Sequence, residues 1–453
     1  MDLENWDPIK MAESSETFCV FPWMHQYVHP NGEVKGCCVY KGQYGNLKNN
    51  TLKEIFNNQT TKQVRLDMLQ GKPVKNCNFC NRDRELKIDA FNQQMNRRYF
   101  SADNTSVSTR DIREIVASTK PDGSVDTHKL YYIDARFNNL CNFTCRTCFH
   151  EYSTGWVATI NKIKNVVDEV NENGKYQNNF DIPDSYFGAK YTFAGKTEED
   201  TINQILPHLP YVESIYFAGG EPMMQIEHYL ILEELVKLGR SDCKIRYNTN
   251  YSRLNLQGKD AINLWKNFNQ VEIDASLDAS YEKAELWREG TVWSDVVDNA
   301  NRVKKEAPHV KLGITCSVGW PNVYSAIDLH KEWTELQYIS SIDNFTVNYV
   351  YGPEEYSLNN IPFWKKQQVT KKILEHIEWI KTHTSNGRAI GTWENCLTIM
   401  NQHSEQKEAF LNQVNYKNLL NNRIFLMDKV HKKDFWATFP EHKDLQHFFN
   451  AGQ

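Results

Sequence analysis

The stretch 139-NLCNFTCRTCFHEYSTGW-156 places Cys141, Cys145 and Cys148 within eight residues and offers no fourth cysteine. Iron–sulfur clusters are ordinarily held by four thiolates, so a Cys-x3-Cys-x2-Cys loop supplies three ligands to a cubane and leaves one iron open. The same spacing suits a zinc site of three cysteines completed from elsewhere, with His150 close by. The flanks say where such a loop sits. The segment 129-KLYYIDARF-137 is rich in aromatic and β-branched residues and reads as a strand, and Ser153 to Val170 reads as a helix. The cysteines therefore occupy the loop of a βα unit, just past the strand's C-terminal end, where α/β barrels carry their chemistry.

No N-terminal apolar stretch suits a signal peptide and no run of eighteen apolar residues occurs, so the chain is expected to be cytoplasmic and to have no membrane partner. In that compartment eleven cysteines are a poor disulfide framework, and seven of them fall in tight groups, so metal is the better explanation. The net charge of -5 gives no general basic field, and bulk electrostatics do not point to nucleic acid. With 453 residues the chain can bury a large core in two or three domains, and its abundant aromatic residues point to a packed globule.

Further βα units follow the first. Candidate strands are 213-ESIYFAG-219, 243-CKIRYNT-249, 271-VEIDASLD-278, 311-KLGITCSV-318 and 345-FTVNYV-350, separated by amphipathic helical pattern. Six units are too few for a closed eight-stranded barrel, so the expected fold class is α/β, with an open, partial (β/α)6 TIM-like barrel over 129–352.

Across that segment the chain resembles the radical S-adenosylmethionine (radical SAM) superfamily. The residues that carry the resemblance are the cysteine loop after the first strand, 218-AGGEP-222 after the second, 246-RYNTN-250 after the third and 276-SLD-278 after the fourth. It implies that Cys141, Cys145 and Cys148 hold a catalytic [4Fe-4S] cluster whose open iron is chelated by the methionine end of S-adenosylmethionine. One electron would then cleave the cofactor to a 5′-deoxyadenosyl radical, with the protein orienting the parts and excluding water.

The resemblance also offers roles for side chains that have ordinary alternatives. Gly219 and Gly220 either turn the chain or let bare backbone approach the cofactor's amino group, with Glu221 beside it. Ser276 and Asp278 either cap the next helix or face the ribose and methionine moieties. Arg288 either pairs with the methionine carboxylate or lies solvated on the surface. Asn248 and Asn250 line the cavity or make a turn. Arg146 and His150 receive no assignment, and Thr147 departs from the aromatic residue often found before the third cysteine.

The N-terminal region holds a second set of thiols. Cys19, then Cys37 and Cys38 at the end of 29-HPNGEVKGCC-38, then 77-CNFC-80 flank a segment, 51–71, with helical apolar spacing. The Asn-Gly pair signals a hairpin. Four soft ligands so arranged suit a zinc ribbon as well as a cluster. The arrangement resembles the twitch domain, a shortened SPASM domain that binds an auxiliary [4Fe-4S] cluster, which implies Cys19, Cys37, Cys77 and Cys80 as ligands, although such domains usually follow the barrel. Cys38 duplicates Cys37, and the glycine spacing favours Cys37. Cys243, Cys316 and Cys396 read as buried small hydrophobes.

The expected organisation is a twitch-like module over 1–84, a helical linker over 85–128 with a helix at 85–100, the barrel at 129–352 interrupted by a lid-like insertion at 175–200, and a helical region over 353–453 whose end packs on the barrel mouth. The expected function is radical SAM chemistry on a sugar or other small metabolite, giving oxidation or epimerisation, because no winged-helix extension for a leader peptide is evident. A maturase acting on a peptide or protein side chain is the alternative, and a non-catalytic cluster or zinc protein the competing class. An electron donor such as flavodoxin or ferredoxin is the implied partner.

Overall fold

The computed structural model describes residues 6–85, 96, 112–172, 190–385, 387–401 and 414–450. Of the helix expected at 85–100 only Glu85 and Asn96 lie within these residues, and the larger part of the insertion at 175–200 lies outside them. The chain divides into two compact units, one of residues 1–139, 192–247 and 256–271, the other of residues 140–191, 248–255 and 272–453.

The first unit opens with strand β1 (His25–Val28), which turns through Asn31-Gly32 into β2 (Glu33–Lys35). Gly32 takes φ +93°, a left-handed value open to glycine, and Val28 pairs antiparallel with Val34 across the hairpin. β3 (Gly45–Asn46) adds to β2. The helical pattern over 51–71 resolves into two helices, Leu52–Phe56 and Gln59–Leu69. Thr51 and Glu54 form a reciprocal capping box at the first, and the Asn58 side chain accepts from the Thr61 amide to start the second, so the Asn57-Asn58 pair breaks the run.

β4 (Tyr132–Ala135), β5 (Ser214–Phe217) and β6 (Lys244–Thr249) are parallel, with Tyr132 beside Ser214 and Ser214 beside Lys244. β1 joins them: it runs parallel to β4 with Tyr27 opposite Asp134. The cysteine-bearing hairpin is thus stitched to the first barrel strand by backbone hydrogen bonds, which the chain order of the segments does not reveal.

The strands alternate. On β5 and β6, Ile215, Phe217, Ile245 and Tyr247 are buried toward the helices Ile226–Lys237 and Ala261–Trp265. Phe217 packs edge-on against His228 with ring centroids 4.8 Å apart, and the Tyr247 hydroxyl bonds His228 Nε2 at 2.8 Å and Trp265 Nε1 at 2.9 Å. The other face carries Tyr216, Arg246 and Asn248, all half-buried, beside buried Asp134. A closed eight-stranded barrel fills its interior with branched apolar side chains. Here that face is polar, as a binding surface requires.

The second unit contains β7 (Val271–Ala275, from Glu272 on), β8 (Lys311–Val318) and β9 (Phe345–Tyr349), parallel and in register through Asp274 opposite Gly313 and Thr315 opposite Thr346. The helices Trp293–Glu306, Val323–Glu335 and Phe363–Lys381 follow them in turn. Strands β4 to β9, each followed in sequence by helix, make up the six βα units of the partial barrel. Helices Gly387–Asn401, Val414–His431 and Lys443–Asn450 form the helical C-terminal region. Its end packs on the segment after β8 and on Trp287: Phe435 lies 6.0 Å from Trp320, Phe439 lies 6.3 Å from Trp287, and His442 Nε2 meets the Pro321 carbonyl at 3.0 Å.

Candidate active site

The cysteine loop follows β4 and belongs to the second unit. Its shape comes from local polar contacts. The Cys141 amide donates to Thr154 Oγ1 at 3.2 Å and the Thr154 hydroxyl donates back to the Cys141 carbonyl, which closes the loop on the N-terminus of the helix Gly155–Glu172. Cys145 lies in a two-residue strand, Thr144–Cys145, antiparallel to Arg288–Glu289, with Cys145 directly opposite Arg288. The Cys148 amide bonds the Cys145 carbonyl at 3.0 Å. Arg146, unassigned from the sequence, is buried, takes its amide hydrogen bond to Trp287 and forms an ion pair with Asp428 of the helix Val414–His431. It anchors the loop from behind.

Donors converge on the sulfurs. The Phe143 amide points at Cys141 Sγ (3.5 Å), as does Asn250 Nδ2 (4.0 Å), and Arg288 Nη1 stands 3.9 Å from Cys145 Sγ. Burial pushes the Cys145 and Cys148 thiols up, and the Arg288 charge acts against that on both, joined at Cys148 by the Phe149 amide. Desolvated sulfurs supplied with N–H donors and a guanidinium are suited to carry thiolate charge on a metal, which replaces the proton as counter-charge. Asn250 makes the sulfur contact; it sits past the end of β6 with its side chain also on Asn142 at 2.9 Å, while Asn248 is half-buried on β6.

Arg288 and Asp278 do more for each other than the sequence indicated. Asp278 is fully buried and accepts from Arg288 Nε at 2.7 Å and Nη2 at 3.0 Å, and also from the Ser317 amide at 2.7 Å. Two of the three guanidinium nitrogens expected for the methionine carboxylate are therefore given to Asp278. Ser276 is half-buried with its amide bonded to the Thr249 carbonyl at 2.7 Å.

The Gly-Gly-Glu loop belongs to the first unit. Gly219 has φ +110°, and a Cβ there would come within 2.9 Å of Arg136 Cβ, so both conformation and space demand glycine. Gly220 is half-buried. Glu221 is buried and uses Oε1 to cap its own turn through the Met223 amide at 3.0 Å.

Also in the first unit, Cys19, Cys37, Cys77 and Cys80 line one pocket with Tyr40, Tyr44 and Arg84. Burial is the largest influence on Cys19, Cys37 and Cys77, with the Cys77 thiol pushed up to about 12. Neighbouring thiols raise all three further, and Arg84 opposes this at Cys19 and Cys77. Cys38 does not line the pocket; the charges acting on it are those of Asp134 and Arg136. Among the described residues no three His, Cys, Asp or Glu side chains are gathered tightly enough to hold a single metal ion. Four thiols that share a pocket are soft donors of the kind that either zinc or an iron–sulfur cluster takes.

The model of the radical SAM superfamily matches residues 136–323, and that of the SPASM iron–sulfur cluster-binding domain matches residues 19–81, N-terminal to it. No curated protein matches the sequence. Among solved structures the chain is similar to anSMEcpe with bound AdoMet and Kp18Cys peptide, at 17% identity and TM-score 0.34, covering 53% of this chain and 57% of that one. It is also similar to Streptococcus suis SuiB bound to the precursor peptide SuiA, at 15% identity and TM-score 0.35, covering 67% and 60%. The match to TYW1 with a lysine-pyruvate adduct has 10% identity and TM-score 0.29, covering 54% and 70%. The chain thus spans less than two thirds of the first two.

Proposed function

From the premise that this chain carries a radical SAM domain preceded by a SPASM iron–sulfur domain, we propose that it is a radical SAM enzyme that removes a hydrogen atom from an unactivated carbon of a peptide or protein side chain. The observation that carries the chemistry is the loop of three thiols, two of them within reach of a backbone or guanidinium donor. When bound there, a [4Fe-4S] cluster and S-adenosylmethionine supply the one-electron cleavage that yields the 5′-deoxyadenosyl radical. The protein's part is positional. Cys141, Cys145 and Cys148 hold the cluster, Asn250 and Arg288 stabilise sulfur charge, and Gly219, Gly220, Glu221 and Ser276 receive the cofactor. Asp278 fixes Arg288, and the four N-terminal cysteines hold an auxiliary cluster.

A sugar or other small metabolite is the second reading. The peptide is preferred because the polar strand face beside the Gly219 loop carries Arg136, whose guanidinium lies over a tyrosine ring and meets a carboxylate, Asp134, through Nε alone among the described residues. Such a face suits acidic groups and repels the ammonium groups of an aminoglycoside. An external donor such as flavodoxin or ferredoxin would deliver the electron. No helix among the described residues is long and apolar enough to cross a membrane.

The test is direct. Anaerobically reconstituted protein should be brown, and with dithionite and S-adenosylmethionine should release 5′-deoxyadenosine. Replacing Cys141, Cys145 and Cys148 by Ala should abolish that release while leaving about half the iron. A colourless zinc protein, or cleavage that survives the triple replacement, would overturn the reading.

A further inference from the structure

Arg136 follows β4, one residue past its end, and is unusually well braced for an arginine that faces a binding surface. Its Nε donates to Asp134 Oδ1 at 3.3 Å, and Asp134 is itself buried on the polar strand face. The guanidinium lies 4.9 Å from the centre of the Tyr27 ring on β1. Its stem rests against Gly219, whose lack of a side chain makes the room: any Cβ there would fall 2.9 Å from Arg136 Cβ and 3.1 Å from Cγ. Carboxylate, ring and backbone thus hold one side chain, contributed by β4, β1 and the loop after β5.

What the bracing leaves over is informative. Only Nε is engaged by the described residues, at a long distance, and the side chain is 17% exposed, so both terminal nitrogens remain for something else. The same face carries Tyr216 and Arg246, paired in register on β5 and β6, with Arg246 5.8 Å from the Tyr216 ring. When a substrate displaces water from the face, the two free donors of Arg136 need acceptors, or their desolvation opposes binding. A planar fork fixed in place matches a carboxylate in bidentate fashion at little entropic cost, which a lysine would not.

We propose that Arg136 is a specificity-determining residue that receives a carboxylate of the substrate, through a guanidinium fork fixed by Asp134, Tyr27 and Gly219. The proposal rests on the peptide reading and deepens it: the acid group is either an acidic side chain or a C-terminal carboxylate.

Both sources can be probed in the protein carrying its clusters and S-adenosylmethionine, by calorimetric titration with three small ligands. N-acetyl-alanyl-alanine offers a terminal carboxylate, N-acetylglutamate α-amide a side-chain carboxylate, and N-acetylglutamine amide neither. At least one acid should bind ten-fold or more tightly than the neutral amide, and whichever does names the source. Arg136→Gln should abolish the preference. Arg136→Lys keeps the charge beside Asp134 but loses the fork, and should retain only part of the preference; it also serves if Arg136→Gln fails to fold. Equal binding of acids and amide to the wild type would overturn the proposal, as would an undiminished preference in both variants. A ten-fold loss of S-adenosylmethionine affinity in Arg136→Gln would also overturn it, by assigning the fork to the cofactor. Failure of the functional reading is separable, since it appears as absence of 5′-deoxyadenosine from the wild type whatever the titrations give.

Discussion

Replacing Asp278 by Ala tests how the candidate site is held together. Asp278 is fully buried, Arg288 keeps 12% side-chain exposure, and the two share a two-point ion pair at 2.7 and 3.0 Å. Removing one partner of a buried pair costs about 3–5 kcal/mol because the other charge stays desolvated. The Ser317 amide also loses its acceptor, for about 1–3 kcal/mol, while residual access of Arg288 to water gives some of this back. We expect a net local cost of about 4 kcal/mol. Hydrogen exchange of the β8 amides from Thr315 to Val318, followed by mass spectrometry, reads such local opening without assuming that the whole chain unfolds at once. At about 1.4 kcal/mol per ten-fold, exchange there should accelerate by roughly three orders of magnitude, unless global unfolding sets a lower limit. The double replacement Asp278→Ala with Arg288→Met removes the stranded charge and should recover part of the protection. Exchange within ten-fold of wild type in the single variant, or a double variant no better protected than the single, would refute the claim that Asp278 serves to hold Arg288.

Two further outcomes follow from the geometry. Cys37→Ser should lose about half the iron, as should Cys77→Ala with Cys80→Ala, whereas Cys38→Ser should retain it, because only Cys37 shares the pocket with Cys19, Cys77 and Cys80; iron analysis of the three proteins side by side decides this. Burial lowers the His228 pKa to about 3, so this ring stays neutral in the folded chain while the unfolded chain takes up a proton below about 6.5. His228 therefore adds no pH dependence above about 6.5 and weakens folding as pH falls from there toward 3, by about 1.4 kcal/mol per pH unit. His228→Gln should remove that share of the slope in denaturant unfolding measured between pH 7 and pH 5, and an unchanged slope would contradict it.

Much of the site was legible because its signals are local. A cysteine loop after a strand, a Gly-Gly-Glu turn after the next and the alternation of each strand are set by neighbours a few residues apart. All six expected barrel strands formed within a few residues of their expected ends. Asn57-Asn58 is a local signal too, since asparagine caps helices readily, but the good apolar spacing on either side of it masks the break.

What the sequence by itself determined, then, is on which βα loop each candidate residue lies, since covalent spacing alone brings three thiols together on one loop. Only the tertiary structure decided what each of those residues touches. The glycine spacing already favours Cys37 over Cys38, but what each touches is set by the chain's fold after β2, which puts the first in the four-thiol pocket and leaves the second near Asp134 and Arg136. Pairing of β1 with β4 joins segments about a hundred residues apart and is settled by backbone hydrogen bonds that leave no mark in composition. The commitment of Arg288 to Asp278 is of the same kind, because a buried carboxylate binds whichever cation the fold brings within reach.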